Sequence, residues 1–384
     1  MASGSSDPFR VLVVGGGVAA LEAALLMREL SEDALAVTVL APDPEFVVRP
    51  LTVREPFGYA TAKRYPLARI AADAGAELHA GRFKWLDPEA RVVHTEAMEA
   101  LGYDALLLAL GARAYARYPH AITIDDQRLD EQLHGLIQDI EGGFVRSLVF
   151  VVPSGHAWPF PAYELALQCA ARAYDTSAEL SVTIATPEDA PLAIFGQAAS
   201  DGVGELLAES RVEVITSAHC EVPEQGRVLV RPGGRELVAD RVVALPELRG
   251  PAVPGVPGGH RGFIAVDARC RVRDLERVWA AGDATDFAIK FGGIAAQQAD
   301  VAARSIAARA GLVPEPAPFH PVIQGMLLTG GRPRYLSAHV TGGHGSSSYI
   351  GDAPLDAPPA KIAAQHLAPY LDQLDQEAGG SESL

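Results

Sequence analysis

Residues 11–14, Val-Leu-Val-Val, run directly into Gly15-Gly16-Gly17 and then into an Ala/Leu-rich stretch from Val18 to Leu30. A continuous apolar run of this kind suits a strand buried on both faces of a parallel sheet. The glycines then predict a tight turn, Val18–Leu30 a helix, and Ala36–Leu40 (AVTVL) a second strand, which completes a βαβ unit. The spacing Gly15-x-Gly17-x-x-Ala20 gives that turn a chemical meaning. Gly15 permits the turn, Gly17 lets backbone approach a pyrophosphate, and Ala20 lets helix and strand pack closely. The amides of Val18, Ala19 and Ala20 then face the phosphate at the positive end of the helix dipole. The other reading is a glycine turn in an α/β protein with no ligand. An acid about 20 residues further on ordinarily holds the ribose hydroxyls. Ala41 occupies that place, and Asp43, two residues beyond, is the substitute.

A second unit of the same kind starts at Ser147. SLVFVV reads as a strand, Pro161–Tyr174 as a helix, Leu180–Ala185 as a strand, Gly202–Glu209 as a helix and Val212–Ile215 as a strand. At 384 residues the chain suits two or three domains, and two βαβ halves suggest paired dinucleotide-binding domains. The formal net charge of −16, with no basic block, excludes the phosphate attraction on which nucleic-acid binding relies. No stretch approaches the roughly 20 apolar residues of a membrane-spanning helix, and no signal segment opens the chain. Cys169, Cys220 and Cys270 are far apart and form no CxxC, which suits a reducing compartment. The expected address is the cytoplasm.

Two distant segments strengthen the dinucleotide reading. Tyr103–Ala112, YDALLLALGA, resembles the strand-plus-glycine motif with which two-domain flavoproteins leave their FAD domain, ending in Gly111-Ala112. Arg277–Asp286, RVWAAGDATD, resembles the strand ending in Gly282-Asp283 whose carboxylate binds the ribityl chain. Asp283 is also open to a simpler reading, an N-cap of the next helix. Lys290-Phe-Gly-Gly-Ile-Ala-Ala-Gln-Gln298 follows, with a helix from about Gly293 to Ala310. In the resembling flavoproteins this helix points its N-terminus at the pyrimidine end of the flavin, where charge grows on reduction. Lys290 would add a full charge there, or stand as a solvated loop lysine.

With these motifs the chain is identified as a member of the pyridine nucleotide-disulfide reductase superfamily. It most resembles the sulfide:quinone oxidoreductases and, more loosely, the type II NADH dehydrogenases. Phe46-Val-Val-Arg49-Pro50 resembles their flavin-side loop, and Pro161-Ala-Tyr-Glu164 matches the start of their second-domain helix. The resemblance implies FAD as cofactor, small-molecule electron donors and acceptors, and flavin contacts at Arg49, Pro50, Arg82, Phe83 and Gly293.

Several departures bear on the chemistry. Gly155-His-Ala-Trp-Pro-Phe160 stands where the sulfide:quinone enzymes carry a reactive cysteine, and no partner cysteine stands near Val322–Gly330. Thiolate chemistry at the flavin is therefore not expected, and Cys169 reads as a core residue. The second domain's first turn, Pro153-Ser-Gly155-His-Ala-Trp158, is not a GxGxxG. NAD(P)H would lack its usual close backbone approach, which puts nicotinamide binding in doubt while leaving NAD(P)H as a second candidate cofactor. Glu188 lies just beyond that domain's second strand. His156 and Trp158 are candidates for shaping a substrate site, and equally for structural loop residues. Glu164 reads as a proton donor or acceptor near flavin, or as a carboxylate favoured by its helix dipole.

Pro359–Leu374 reads as a helix, apolar on one side, followed by an acidic run. In the resembling quinone reductases a C-terminal amphipathic segment docks on the membrane. With one Lys in this segment, packing on the FAD domain or at a dimer interface is favoured over peripheral membrane contact. The expected fold is α/β with two Rossmann-like dinucleotide-binding domains. Residues 1–114 plus 270–311 make the FAD domain, 115–269 an inserted NAD(P)-type domain, and 312–384 a C-terminal interface segment. The expected function is an FAD-dependent oxidoreductase, monomeric or homodimeric, that passes electrons to a quinone-like or other small acceptor. An NAD(P)H-dependent flavin reductase and a non-catalytic flavin-binding scaffold are the alternatives.

Overall fold

A computed structural model describes residues 8–31, 33–155, 157–341, 344–355 and 360–378. The apolar run after Phe9 becomes the central strand, Phe9–Val14, of a five-stranded parallel sheet. Leu35–Ala41 and Glu77–Ala80 lie on one side of it, and Ala105–Leu108 and Val278–Ala280 on the other. Val11 pairs with Val37 on one side and Ala105 on the other, and Val11–Val14 are buried on both faces of the sheet. Helices Val18–Ser31 and Gly292–Arg309 pack against each other over one face. Their small residues (Ala20, Ala23, Ala24, Ala299, Ala302, Ala303) allow that close approach.

The second unit repeats the plan. Ser147–Val151 is central, with Ser181–Ala185 and Val212–Ile215 on one side and Arg241–Ala244 and Ile122–Thr123 on the other, all parallel. Helices Phe160–Asp175, Gln197–Glu209 and Leu129–Glu141 cover it through one apolar cluster. Both sheets thus carry the strand order of doubly wound folds.

Beyond these, Val322–Leu327, Arg334–Thr341 and His344–Gly351 form an antiparallel sheet. Its last strand packs on the Gln197 helix, where Ile350 meets Gly202. The C-terminal helix differs from expectation. It spans Leu367–Glu377, with Ala360–His366 running as a non-helical strap, and Pro359 lies outside the described residues. Starting at Leu367 places Pro369 in the first turn, where its missing N–H breaks no helical bond. Leu367 and Leu371 are buried on the first sheet's helix layer. Asp375 receives Lys63 and the Tyr65 hydroxyl, and Tyr370 donates to Asp73. Among the described residues no helix is long and apolar enough to cross a membrane.

Candidate functional site

The first sheet reverses its strand order between Phe9–Val14 and Ala105–Leu108, and the carboxyl ends of these strands frame a crevice. Gly15 turns there with φ 133°, and a Cβ on it would stand 2.2 Å from the Ala109 carbonyl oxygen. Only glycine lets these two chain segments touch. Gly282, with φ 76°, makes the third contact: its Cβ position lies 3.3 Å from the Ala19 Cβ and 3.2 Å from that of Ala295. The three motifs and the Gly292 helix, scattered through the sequence, therefore converge. At Gly17 and at Gly111, which has φ 67°, nothing among the described residues beyond the adjoining chain lies within 4 Å of the Cβ position, so the space above both is open. Ala112, next to Gly111, is half-buried. Gln298 holds the Gly282 turn, its Oε1 accepting from the Gly282 amide at 2.8 Å and the Thr285 hydroxyl at 3.3 Å.

Asp283 follows directly, half-buried, and accepts no hydrogen bond from the described residues. Burial pushes its carboxyl up to about 6, with Lys290 pulling it down and Asp126 adding to the rise. Lys290 is not a solvated loop lysine. It is 4% exposed, donates to the Thr285 carbonyl and sits 4.0 Å over the Phe263 ring. Burial brings its ammonium down to about 8 against the opposing pull of Asp283 and Asp286. Arg49 lies 3.5 Å from Asp126 and, with Pro50, opens the short helical stretch Arg49–Phe57.

The remaining candidates stand further out. Arg82 is exposed beside Glu96, and Phe83 is half-buried at the start of Phe83–Asp87, just beyond the edge strand Glu77–Ala80. Asp43 is exposed two residues past Leu35–Ala41. Gly293 lies in the first turn of the Gly292–Arg309 helix, its Cβ position 3.4 Å from the Ala363 carbonyl, so the C-terminal strap covers that turn. Open ground above Gly17 and Gly111, a half-buried carboxylate without a protein donor, and a buried ammonium beside it fit a flavin dinucleotide.

Glu164 has another neighbour. It is buried, and its Oε1 receives Lys361 from the strap and the Leu328 amide at 2.9 Å. Burial raises the Glu164 carboxyl and lowers the Lys361 ammonium, each opposed by its partner. Lys361 also donates to the Met326 carbonyl at 2.7 Å. Its one signal in the sequence is that it is the single lysine of an otherwise apolar stretch. Trp158 is half-buried, 4.8 Å from the Phe291 ring and 5.9 Å from Phe160, in a cluster that includes Phe195. His156 lies outside the described residues.

Cys169, Cys220 and Cys270 are free and buried in three different clusters. Burial pushes their thiols to about 12, 11 and 12, respectively. In the second unit, Gly155 turns with φ 135°, but its Cβ position is 2.9 Å from the Arg261 guanidinium. Arg261 pairs with buried Glu247, which also takes Arg117 at 3.4 Å. Glu188, the acid beyond that sheet's second strand, accepts from Tyr163 at 2.9 Å and Thr186 at 2.8 Å. Burial raises it to about 7.

Residues 9–304 match the family model described as pyridine nucleotide-disulphide oxidoreductase. The chain belongs to that family. The family member is an oxidoreductase with FAD as its cofactor, similar to sulfide:quinone reductases. It is 23% identical over 264 residues to the sulfide-quinone reductase of Aquifex aeolicus, a match over 65% of this chain and 60% of that relative. The solved sulfide:quinone oxidoreductase of that bacterium superposes with a TM-score of 0.79 at 19% identity, over 96% of this chain and 90% of that one. A ferredoxin reductase from Rhodopseudomonas palustris gives 0.66 at 19% identity, over 87% and 83%. An NAD-dependent persulfide reductase from A. fulgidus gives 0.63 at 20%, over 87% and 64%.

Proposed function

We propose that this oxidoreductase moves two electrons from a small non-nicotinamide donor, through FAD, to a quinone-like or other small acceptor without thiol chemistry. The observation that carries the reading is the convergence of Gly15, Gly282 and the Gly292 helix around Asp283, while every cysteine is buried elsewhere. Bound FAD supplies the two-electron chemistry. The amides of Val18–Ala20 and the open turn at Gly17 hold the pyrophosphate. Asp283, which has no donor among the described residues, would accept from a ribityl hydroxyl, and Asp43 would take the adenosine ribose. Lys290 and the first turn of the Gly292 helix provide positive potential where negative charge accumulates. Arg49, Pro50, Arg82, Phe83, Gly111, Ala112 and Gly293 frame the remaining edges.

A quinone-like acceptor is favoured by the likeness to sulfide:quinone reductases and by the aromatic cluster of Trp158, Phe160 and Phe291. Against a nicotinamide donor stands Arg261 over Gly155, in the room a pyrophosphate would need. The proposed organisation is a flavin domain of residues 1–114 and 270–311, an insert of 115–269 and a C-terminal segment, in a cytoplasmic monomer or homodimer. The test is Asp283→Ala: it purifies folded but largely colourless, with normal colour in the wild type. Full flavin content in the variant would overturn the assignment of Asp283.

A further inference from the structure

Glu22 lies fully buried on the Val18–Ser31 helix, in a position its Ala/Leu neighbours devote to packing. Its carboxylate accepts the amides of Gln365 at 2.7 Å, His366 at 3.0 Å and Leu367 at 2.6 Å, and so caps the C-terminal helix. Beside it stand Asp300 of the Gly292–Arg309 helix and the His366 ring, both mostly buried. His366 Nδ1 faces Glu29 at 2.9 Å. A carboxylate on one ring nitrogen fixes the N–H there and leaves a lone pair on the other. That other nitrogen, Nε2, points at Asp300 Oδ1 across 3.9 Å.

Both of these atoms are buried, and neither has a hydrogen-bond partner among the described residues. Two electron-rich atoms thus face one another in a nearly closed space, with the Glu22 carboxylate as a third wall. Such an arrangement calls for a bridging proton or metal ion between them, because buried polar atoms are otherwise costly. Arg304 pulls against the Glu22 and Glu29 carboxylates that crowd Asp300.

We infer that Glu22, Asp300 and His366 form a site for a divalent cation of the zinc class, which fastens the C-terminal helix to the flavin-domain helices. One ligand atom from each lies within 4.8 Å of the other two. Three such atoms share a point no more than about 2.8 Å from each (4.8/√3). Zinc bonds to imidazole and carboxylate measure about 2.0–2.2 Å, so an inward movement of at most about 0.8 Å per ligand atom closes the site. The nitrogen–two-oxygen ligand set and the Glu29–His366 pair match how proteins hold and orient such ions. The three helices that contribute are remote in sequence, so the ion would act on the docking of the last one. This inference is independent of where flavin binds.

The test is calorimetric titration of zinc chloride into the FAD-loaded full chain after chelator treatment, beside Asp300→Asn and His366→Gln. Asp300→Asn keeps the shape of the side chain and removes a buried negative charge, so it should fold at least as well. The wild type is expected to bind one zinc per chain and to melt at a higher temperature with zinc. Both variants should bind at least tenfold more weakly and show no such rise, with flavin content unchanged. Zinc binding equal in the wild type and Asp300→Asn, or absent from the wild type, would overturn the site and leave a proton as the charge between His366 and Asp300.

Discussion

Glu164 and Lys361, 197 residues apart in the chain, form a buried ion pair that ties the start of the Phe160–Asp175 helix to the C-terminal strap. The pair also gathers the Leu328 amide and the Met326 carbonyl, so strap, helix and C-terminal sheet meet at one polar point inside an apolar layer. A buried charge that loses its partner is strongly destabilising, whereas removal of both charges can be nearly neutral. Glu164→Ala should therefore cost about 3–5 kcal/mol in urea unfolding. Glu164→Met with Lys361→Met should recover most of that loss. A single variant as stable as the wild type would contradict the pairing.

Lys290 gives a prediction in pH. Its ammonium titrates near 8 in the folded protein against an ordinary 10.5, so folding favours the neutral amine. The charge therefore costs stability below about pH 8, and the cost is relieved as pH rises toward 10.5. In flavin-free protein, Lys290→Met should raise stability at pH 7 by up to about 3 kcal/mol. The difference from wild type should shrink by pH 10. Parallel urea curves at the two pH values decide it, and a pH-independent difference would contradict the buried charge.

How the sequence announced these features depends on how local each signal was. The glycine turn was legible because Gly15, Gly17 and Ala20 act within one βαβ unit, and the strands on either side carry continuous apolar runs. Asp283 was legible as the end of a short apolar strand, Val278–Ala280. The burial of Lys290 was not, because Phe263 and Thr285 reach it through tertiary packing. Neither was the Glu164–Lys361 pair, whose halves belong to segments with no shared period. The C-terminal helix was placed too early because its apolar strap reads like a helical face, while Lys361 and the Glu22 cap dictate where the helix starts.

The cysteines should be silent. With all three buried and their thiols pushed to between about 11 and 12, little reactive thiolate exists at neutral pH. An aromatic disulfide reagent should release no measurable thiolate signal from native protein and three equivalents from protein in denaturant. Rapid native reaction of one thiol would reopen a redox role for it.

Arg261 over Gly155 predicts the response to nicotinamides. NADH and NADPH, mixed anaerobically with the oxidised holoprotein, should leave the flavin absorbance unchanged over minutes. Prompt bleaching by either would place the donor site in the second unit after all and favour the flavin-reductase alternative.

The most direct measurement follows the flavin spectrum of anaerobically photoreduced holoprotein mixed with a soluble short-chain quinone. It compares wild type with a variant in which Cys169, Cys220 and Cys270 are all replaced by Ala. Rapid return of oxidised-flavin absorbance is expected, at rates equal within about twofold in the two proteins, since no thiol lies on the electron path. Failure of quinone to reoxidise the wild type, or reoxidation that disappears with the cysteines, would contradict it.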